Sequence, residues 1–123
     1  VFTETLAAAS NWTAVYPTGI SGGIGSGNNV TAISETLVNL TGGTLNVIYT
    51  VTPVSGSGCG SGAYDIVVPV NSAPVGSATT LAAICSGDLL TINPFDYISN
   101  GVVSSYSWTA VYDAGLTGGI ASG

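Results

Sequence analysis

The chain contains no lysine, no arginine, no histidine and no methionine among its 123 residues. Charged residues make up 5%, all of them acidic, and the net charge is −6. Each absence removes a class of function. Without Lys or Arg nothing can neutralise phosphate, so nucleic acid is excluded as a partner and an anionic membrane surface is disfavoured. Without His or Lys no conventional base stands beside a Ser or Cys nucleophile, and nitrogen ligation of a metal is closed. Lys–Asn isopeptide cross-links cannot form, and trypsin-type proteases find no site. No apolar run approaches the ~20 residues of a membrane helix, so no membrane insertion is expected. Sparse charge with 46% hydrophobic residues also rules out charge-driven disorder. The reading is of a protein that is not an enzyme.

What remains is rich in Val, Ile, Leu, Thr, Tyr and Gly, the composition of strands joined by tight turns. One stretch occurs twice. Residues 12–27 read WTAVYPTGISGGIGSG and residues 108–123 read WTAVYDAGLTGGIASG, without a gap. Trp12 and Trp108 place the copies 96 residues apart. That period is too long for a solenoid turn and close to one β-sandwich domain of roughly 100 residues. The chain is therefore expected to divide at Pro74. Residues 1–73 read as the C-terminal part of one repeat and residues 74–123 as the N-terminal part of the next, joined by the linker N-S-A-P-V-G (71–76).

Strand readings follow from alternation. Trp12, Ala14 and Tyr16 share one face of their segment, and Val47, Tyr49 and Val51 share another. Ile66, Val68 and Val70 turn inward, with Pro69 marking an edge or a bulge. Val1–Leu6, Val30–Leu40, Ser77–Ile84, Asp88–Ile92 and Tyr106–Tyr112 are further strand candidates. Leu37 and Leu40 are the expected core contacts of theirs. Trp12, Trp108, Tyr49 and Leu37 are thus read as structural anchors. The Gly-rich loop after Trp12 superficially resembles a phosphate cradle. No Lys follows it and no helix opens, so its glycines are read as turn formers with Ile20 and Ile24 tucked beneath.

Sites for chemistry are few. The carboxylates are Glu4, Glu35, Asp65, Asp88, Asp96 and Asp113. No spacing favours a glycosidase pair among them. The reading is of no cofactor, with calcium the one ion left open and Asp88 and Asp96 its candidate ligands. Cys59 and Cys85 suit a secreted protein. Either each repeat closes its own disulfide, with both partners outside residues 1–123, or Cys59 and Cys85 join across the boundary. Asn11, Asn29 and Asn39 open N-x-S/T sequons.

The ordered motifs C-S-G (85–87), Y-x-W-T-A (106–110), G-G-I-x-S-G, T-L-x-N-x-T (36–41), V-x-Y-T-V-T-P (47–53), G-C-G-S-G (58–62) and V-x-V-N-x-x-P (68–74) resemble something specific. They are similar to the PKD-like, immunoglobulin-like tandem repeats of very large Bacteroidota surface proteins, including gliding-motility adhesins carried by the type IX secretion system. The W-D-F-G-D-G of ordinary PKD domains is replaced by W-T-A-V-Y, so no role of those aspartates carries over. The resemblance implies an all-β fold of tandem immunoglobulin-like sandwich repeats at the extracellular cell surface. It implies a non-catalytic element of an adhesin filament serving adhesion or gliding, with neighbouring repeats as its immediate partners and a glycan or protein receptor beyond. The alternative is a carbohydrate-binding or accessory module of a secreted hydrolase, using exposed aromatics such as Tyr16, Tyr112 or Trp12.

Overall fold

Alternation of β-branched or aromatic residues with polar ones organises the first part of the chain into paired strands. The computed structural model describes residues 2–54 and 62–123. Among them six strands form: β1 (Phe2–Val15), β2 (Ile20–Ser21), β3 (Ser26–Glu35), β4 (Val38–Asn39), β5 (Leu45–Pro53) and β6 (Tyr64–Val70). An antiparallel sheet has the order β3-β1-β5-β6, and β2 pairs with β4 in a second, two-stranded sheet. No α-helix occurs among the described residues. One turn of 3-10 helix (Pro94–Tyr97) is capped by the Asn93 side chain, which accepts from the Phe95 N–H. The fold is all-β, in keeping with an immunoglobulin-like sandwich.

β1 is longer than expected. Segments read as separate, one before Leu6 and one around Trp12, meet in one strand, whose register against β3 shifts between Thr5 and Ser10 and again between Ser10 and Trp12. Such irregularities bend a strand without ending it. β5 is the central partner, pairing with β1 on one side and β6 on the other. Its inward residues Val47, Tyr49 and Val51 are fully buried, and with Trp12 and Ile33 they form the core. Ile66, Val68 and Val70 of β6, Ile20 of β2 and Leu37 just before β4 pack against it. The outward residues Val15, Ile48 and Val67 lie in one cross-strand row and are exposed. β6 is an edge strand, with Pro69 opposite Asn46.

Leu40 was expected in the core and is instead 49% exposed. In an extended chain Leu37 and Leu40 fall on opposite faces, and the inward position after Leu37 belongs to Asn39. Asn39 is only 2% exposed, and its amide is fully used. Nδ2 donates to Gly43 O at 2.7 Å and Val70 O at 2.8 Å, while Oδ1 accepts from the Thr41 N–H at 3.0 Å and the Thr41 hydroxyl at 2.7 Å. Burial at this level also removes Asn39 from the glycosylation acceptors of the folded chain. Asn39→Ala is expected to destabilise by about 2–4 kcal/mol, since it removes a buried amide that donates to Gly43 O and Val70 O and accepts the Thr41 N–H and hydroxyl. Urea denaturation of the two chains measures it. An unchanged midpoint would show that water replaces the amide.

Ile24 is likewise a correction: it is 70% exposed, while Ile20 does turn inward. Beyond Pro74 the expected strands 77–84, 88–92 and 106–112 do not form ladders. Only isolated antiparallel bridges occur, Gly76 to Ile98 and Thr109 to Ser122. No residue from 74 to 123 is buried. β-propensity is realised only where a partner strand and a face to cover are present.

Candidate functional site

The most unusual chemistry in the fold sits under the Trp12 strand. Tyr16 follows β1, Glu35 ends β3 and Tyr49 is the centre of β5, and the three side chains meet. Glu35 is a carboxylate only 3% exposed, in a chain that has no Lys, Arg or His to pair with it. Donors hold it instead. The Tyr16 hydroxyl donates to Oε1 at 2.5 Å, the Ile24 N–H donates to Oε1 at 2.7 Å, and the Tyr49 hydroxyl donates to Oε2. The Gly25 N–H donates in turn to the Tyr16 oxygen at 3.1 Å.

Desolvation by itself would push the Glu35 carboxyl up, but the hydroxyl and N–H donors outweigh it and hold the group below its ordinary value of 4.5. Burial, then the bond to Glu35, pushes both tyrosine hydroxyls above their ordinary 10.0. The carboxylate therefore stays charged and both phenols stay protonated at neutral pH. Three donors and 3% exposure turn this carboxylate inward, toward the protein. Its role is to tie the Gly-rich loop and three strands together.

The glycines of that loop are fixed by close approach of rings. A Cβ at Gly27 would lie 2.3 Å from Trp12 Nε1, and one at Gly23 would lie 2.2 Å from Tyr16 Cζ. The second copy of the stretch repeats this geometry. A Cβ at Gly123 would lie 2.4 Å from Trp108 Nε1, and one at Gly119 would lie 2.3 Å from Tyr112 Cζ. The backbone agrees: Ala14 N–H to Gly25 O and Ala110 N–H to Ala121 O are both 2.9 Å. Ile20 N–H to Pro17 O and Leu116 N–H to Asp113 O are both 3.2 Å. One difference stands out. Tyr112 donates to the Ile120 carbonyl, whereas Tyr16 donates to a carboxylate.

The residues singled out from sequence are scattered. Trp12 and Tyr49 are buried, their ring centroids 5.7 Å apart and tilted by 57°. Leu37 is half-buried against them, and Trp108 is 44% exposed. Burial of Trp12 removes it as a sugar platform. Tyr16 is half-buried with its hydroxyl committed to Glu35. Cys85 is exposed and carries a free thiol; Cys59, and with it the expected Cys59–Cys85 bridge, lies outside the described residues. The Cys85 turn is closed locally, its N–H donating to Asp88 Oδ2 at 3.2 Å. Asp88 belongs to that turn, whereas Asp96 sits in the 3-10 turn and accepts from Asn93 Nδ2 at 3.4 Å. Among the described residues no three or more His, Cys, Asp or Glu gather as a metal site. Asp65 accepts from the Thr50 hydroxyl at 2.8 Å. Among the described residues no helix is long and apolar enough to cross a membrane.

Comparison with known proteins meets this geometry at the level of family. Residues 3–74, more than half of the chain, match the PKD-like domain. The chain belongs to the PKD-like domain family. No curated protein and no solved structure matches it significantly. As a class, PKD-like domains are extracellular structural or binding modules. The match takes in β1 to β6 and therefore both the Trp12 hairpin and the Glu35 cluster. In this chain Trp12 and Tyr49 lie in the core, Gly27 packs against the Trp12 ring, and Glu35 is the polar tie that sequence reasoning passed over. Its signal was available: Glu35 sits two residues after Ile33, on the inward face of β3, in a chain with inward tyrosines and no cation.

Proposed function

We propose that this PKD-like chain is a non-catalytic structural repeat of a long extracellular adhesin filament, serving cell-surface adhesion or gliding motility. The observation that carries the reading is the second Trp hairpin. Residues 108–123 reproduce, ring for glycine, the geometry that residues 12–27 adopt inside a covered domain. A local structure kept at domain spacing is what a tandem array requires. On this reading residues 1–73 end one sandwich and residues 74–123 begin another. The repeat acts as a spacer, its first partners are its neighbours, and receptor recognition belongs to the whole filament. It works without metal or cofactor.

Concatemers of the 96-residue period, compared by small-angle X-ray scattering, test it. The maximum dimension is expected to grow by a constant increment with each added copy. A dimension that stays flat as copies are added would mean collapse into a globule and would sink the spacer role.

A further inference from the structure

The stretch read as a linker is pinned on both sides, and one side chain does most of the pinning. Asn100 Nδ2 donates to Leu40 O at 3.1 Å and to Ala73 O at 2.8 Å, while Asn100 Oδ1 accepts the Val75 N–H at 3.2 Å. Both donor hydrogens and the carbonyl of the amide are thereby committed between residues 40–75 and residue 100. Neighbouring bonds support the arrangement. The Ser99 N–H donates to Val75 O at 2.7 Å, and the Ala73 N–H donates to Asn39 O at 2.9 Å. The Asn100 carbonyl lies against Gly42, where a Cβ would come within 2.6 Å of it. Asn100 is a latch between the sandwich and the segment that follows.

The residue after it is Gly101, and no other asparagine in the chain precedes a glycine. Gly101 has a φ of +70°, has open space where a side chain would be, and lines an open cleft of about 280 Å³ between the 42–44 turn, Asn71–Ser72 and residues 101–103. Its N–H makes none of the hydrogen bonds found among the described residues. We propose that Asn100–Gly101 is a deamidation site whose reaction irreversibly opens the latch.

The Gly101 amide nitrogen, having lost its proton to solvent, attacks Cγ of Asn100. The Cγ–Nδ2 bond breaks, Nδ2 takes a proton back from solvent and leaves as ammonia, and a succinimide ring forms. Water from the cleft then opens the ring at either carbonyl, giving aspartate or isoaspartate. One water enters and one ammonia leaves. Opening to isoaspartate reroutes the backbone through Cγ, and opening to aspartate leaves a carboxylate where the amide was. Its oxygens face Leu40 O and Ala73 O with no hydrogen to give, and the chain has no Lys, Arg or His to offset the new charge. For Cγ to reach the Gly101 nitrogen the side chain must first leave its three partners. The closed latch therefore protects its own amide, and conversion reports how often the junction opens.

The whole chain, incubated at mildly alkaline pH in oxygen-18 water, is digested and each asparagine followed by mass. Asn100 is expected to be the first converted, at a rate about tenfold or more below that of the urea-unfolded chain, as gating by a local opening demands. Asn100→Asp is expected to lose hydrogen-exchange protection at the Ala73 and Val75 amides while Trp12 fluorescence remains native. Labelled carboxylate appearing first at another asparagine overturns the site. Equal rates in folded and unfolded chains overturn the gating, and retained protection in Asn100→Asp overturns the latch.

Discussion

Glu35→Ala should lose about 3 kcal/mol or more of folding stability at neutral pH, because it removes the charged acceptor shared by the Tyr16 and Tyr49 hydroxyls and the Ile24 N–H. Denaturant unfolding followed by Trp12 fluorescence, with Trp108→Phe as the common background, gives the number. Glu35→Gln should fall between, since it keeps the shape and one acceptor oxygen but lacks the charge. The wild-type pH profile carries the same information. The folded Glu35 pKa lies below the unfolded one, so its contribution is complete above about pH 5 and is lost as pH falls through the folded value. For Tyr16 and Tyr49 the folded pKa lies above 10.0. Their contribution is complete below that value and is lost as pH rises, because the unfolded phenols ionise first. A plateau with an acid limb that flattens in Glu35→Gln is expected. An acid limb unchanged in Glu35→Gln would show that another carboxylate governs acid unfolding.

Trp12→Ala should cost about 3–5 kcal/mol, the range for truncating a large aromatic in a packed core. The indole is 5% exposed, touches Tyr49 and presses against Gly27, so nothing nearby can collapse into the space. Trp108→Ala, at a site 44% exposed, should cost well under 1 kcal/mol in the same assay. The contrast is the informative part, because the two residues sit in nearly identical sequence and nearly identical local backbone. Similar losses at both sites would mean that residues 74–123 bury their Trp in solution.

Much of the fold was legible because a strand has a side-chain period of two. That rule placed Val47, Tyr49 and Val51 inward and Ile48 outward, and it placed Ile66, Val68 and Val70 against the core. Where it was set aside, the reading failed. Leu37 and Leu40 cannot share a face of an extended chain, and the inward place went to a polar residue, Asn39, whose amide closes four bonds. Glu35 was missed for a related reason. A carboxylate reads as surface unless its partners are known, and those partners come from residues 16, 24 and 49, brought together only by the pairing of β1 with both β3 and β5. The strands expected after Pro74 were legible as propensity and absent as ladders, because propensity supplies no partner. Asn100 gave no sign in sequence of reaching back sixty residues to Leu40.

Pro69 has a consequence for crowding. The run I-V-V-P-V on β6 is uncharged and strongly β-prone, and it lies at the outer edge of the sheet. Such a run, displayed at high density on a surface, is a template for zippering one molecule onto the next. Chains of this kind usually guard an edge with lysine, which this one lacks. Pro69 interrupts the row of donors at that edge and acts as the gatekeeper there. Two copies that meet along this edge are then expected not to fuse into a shared sheet.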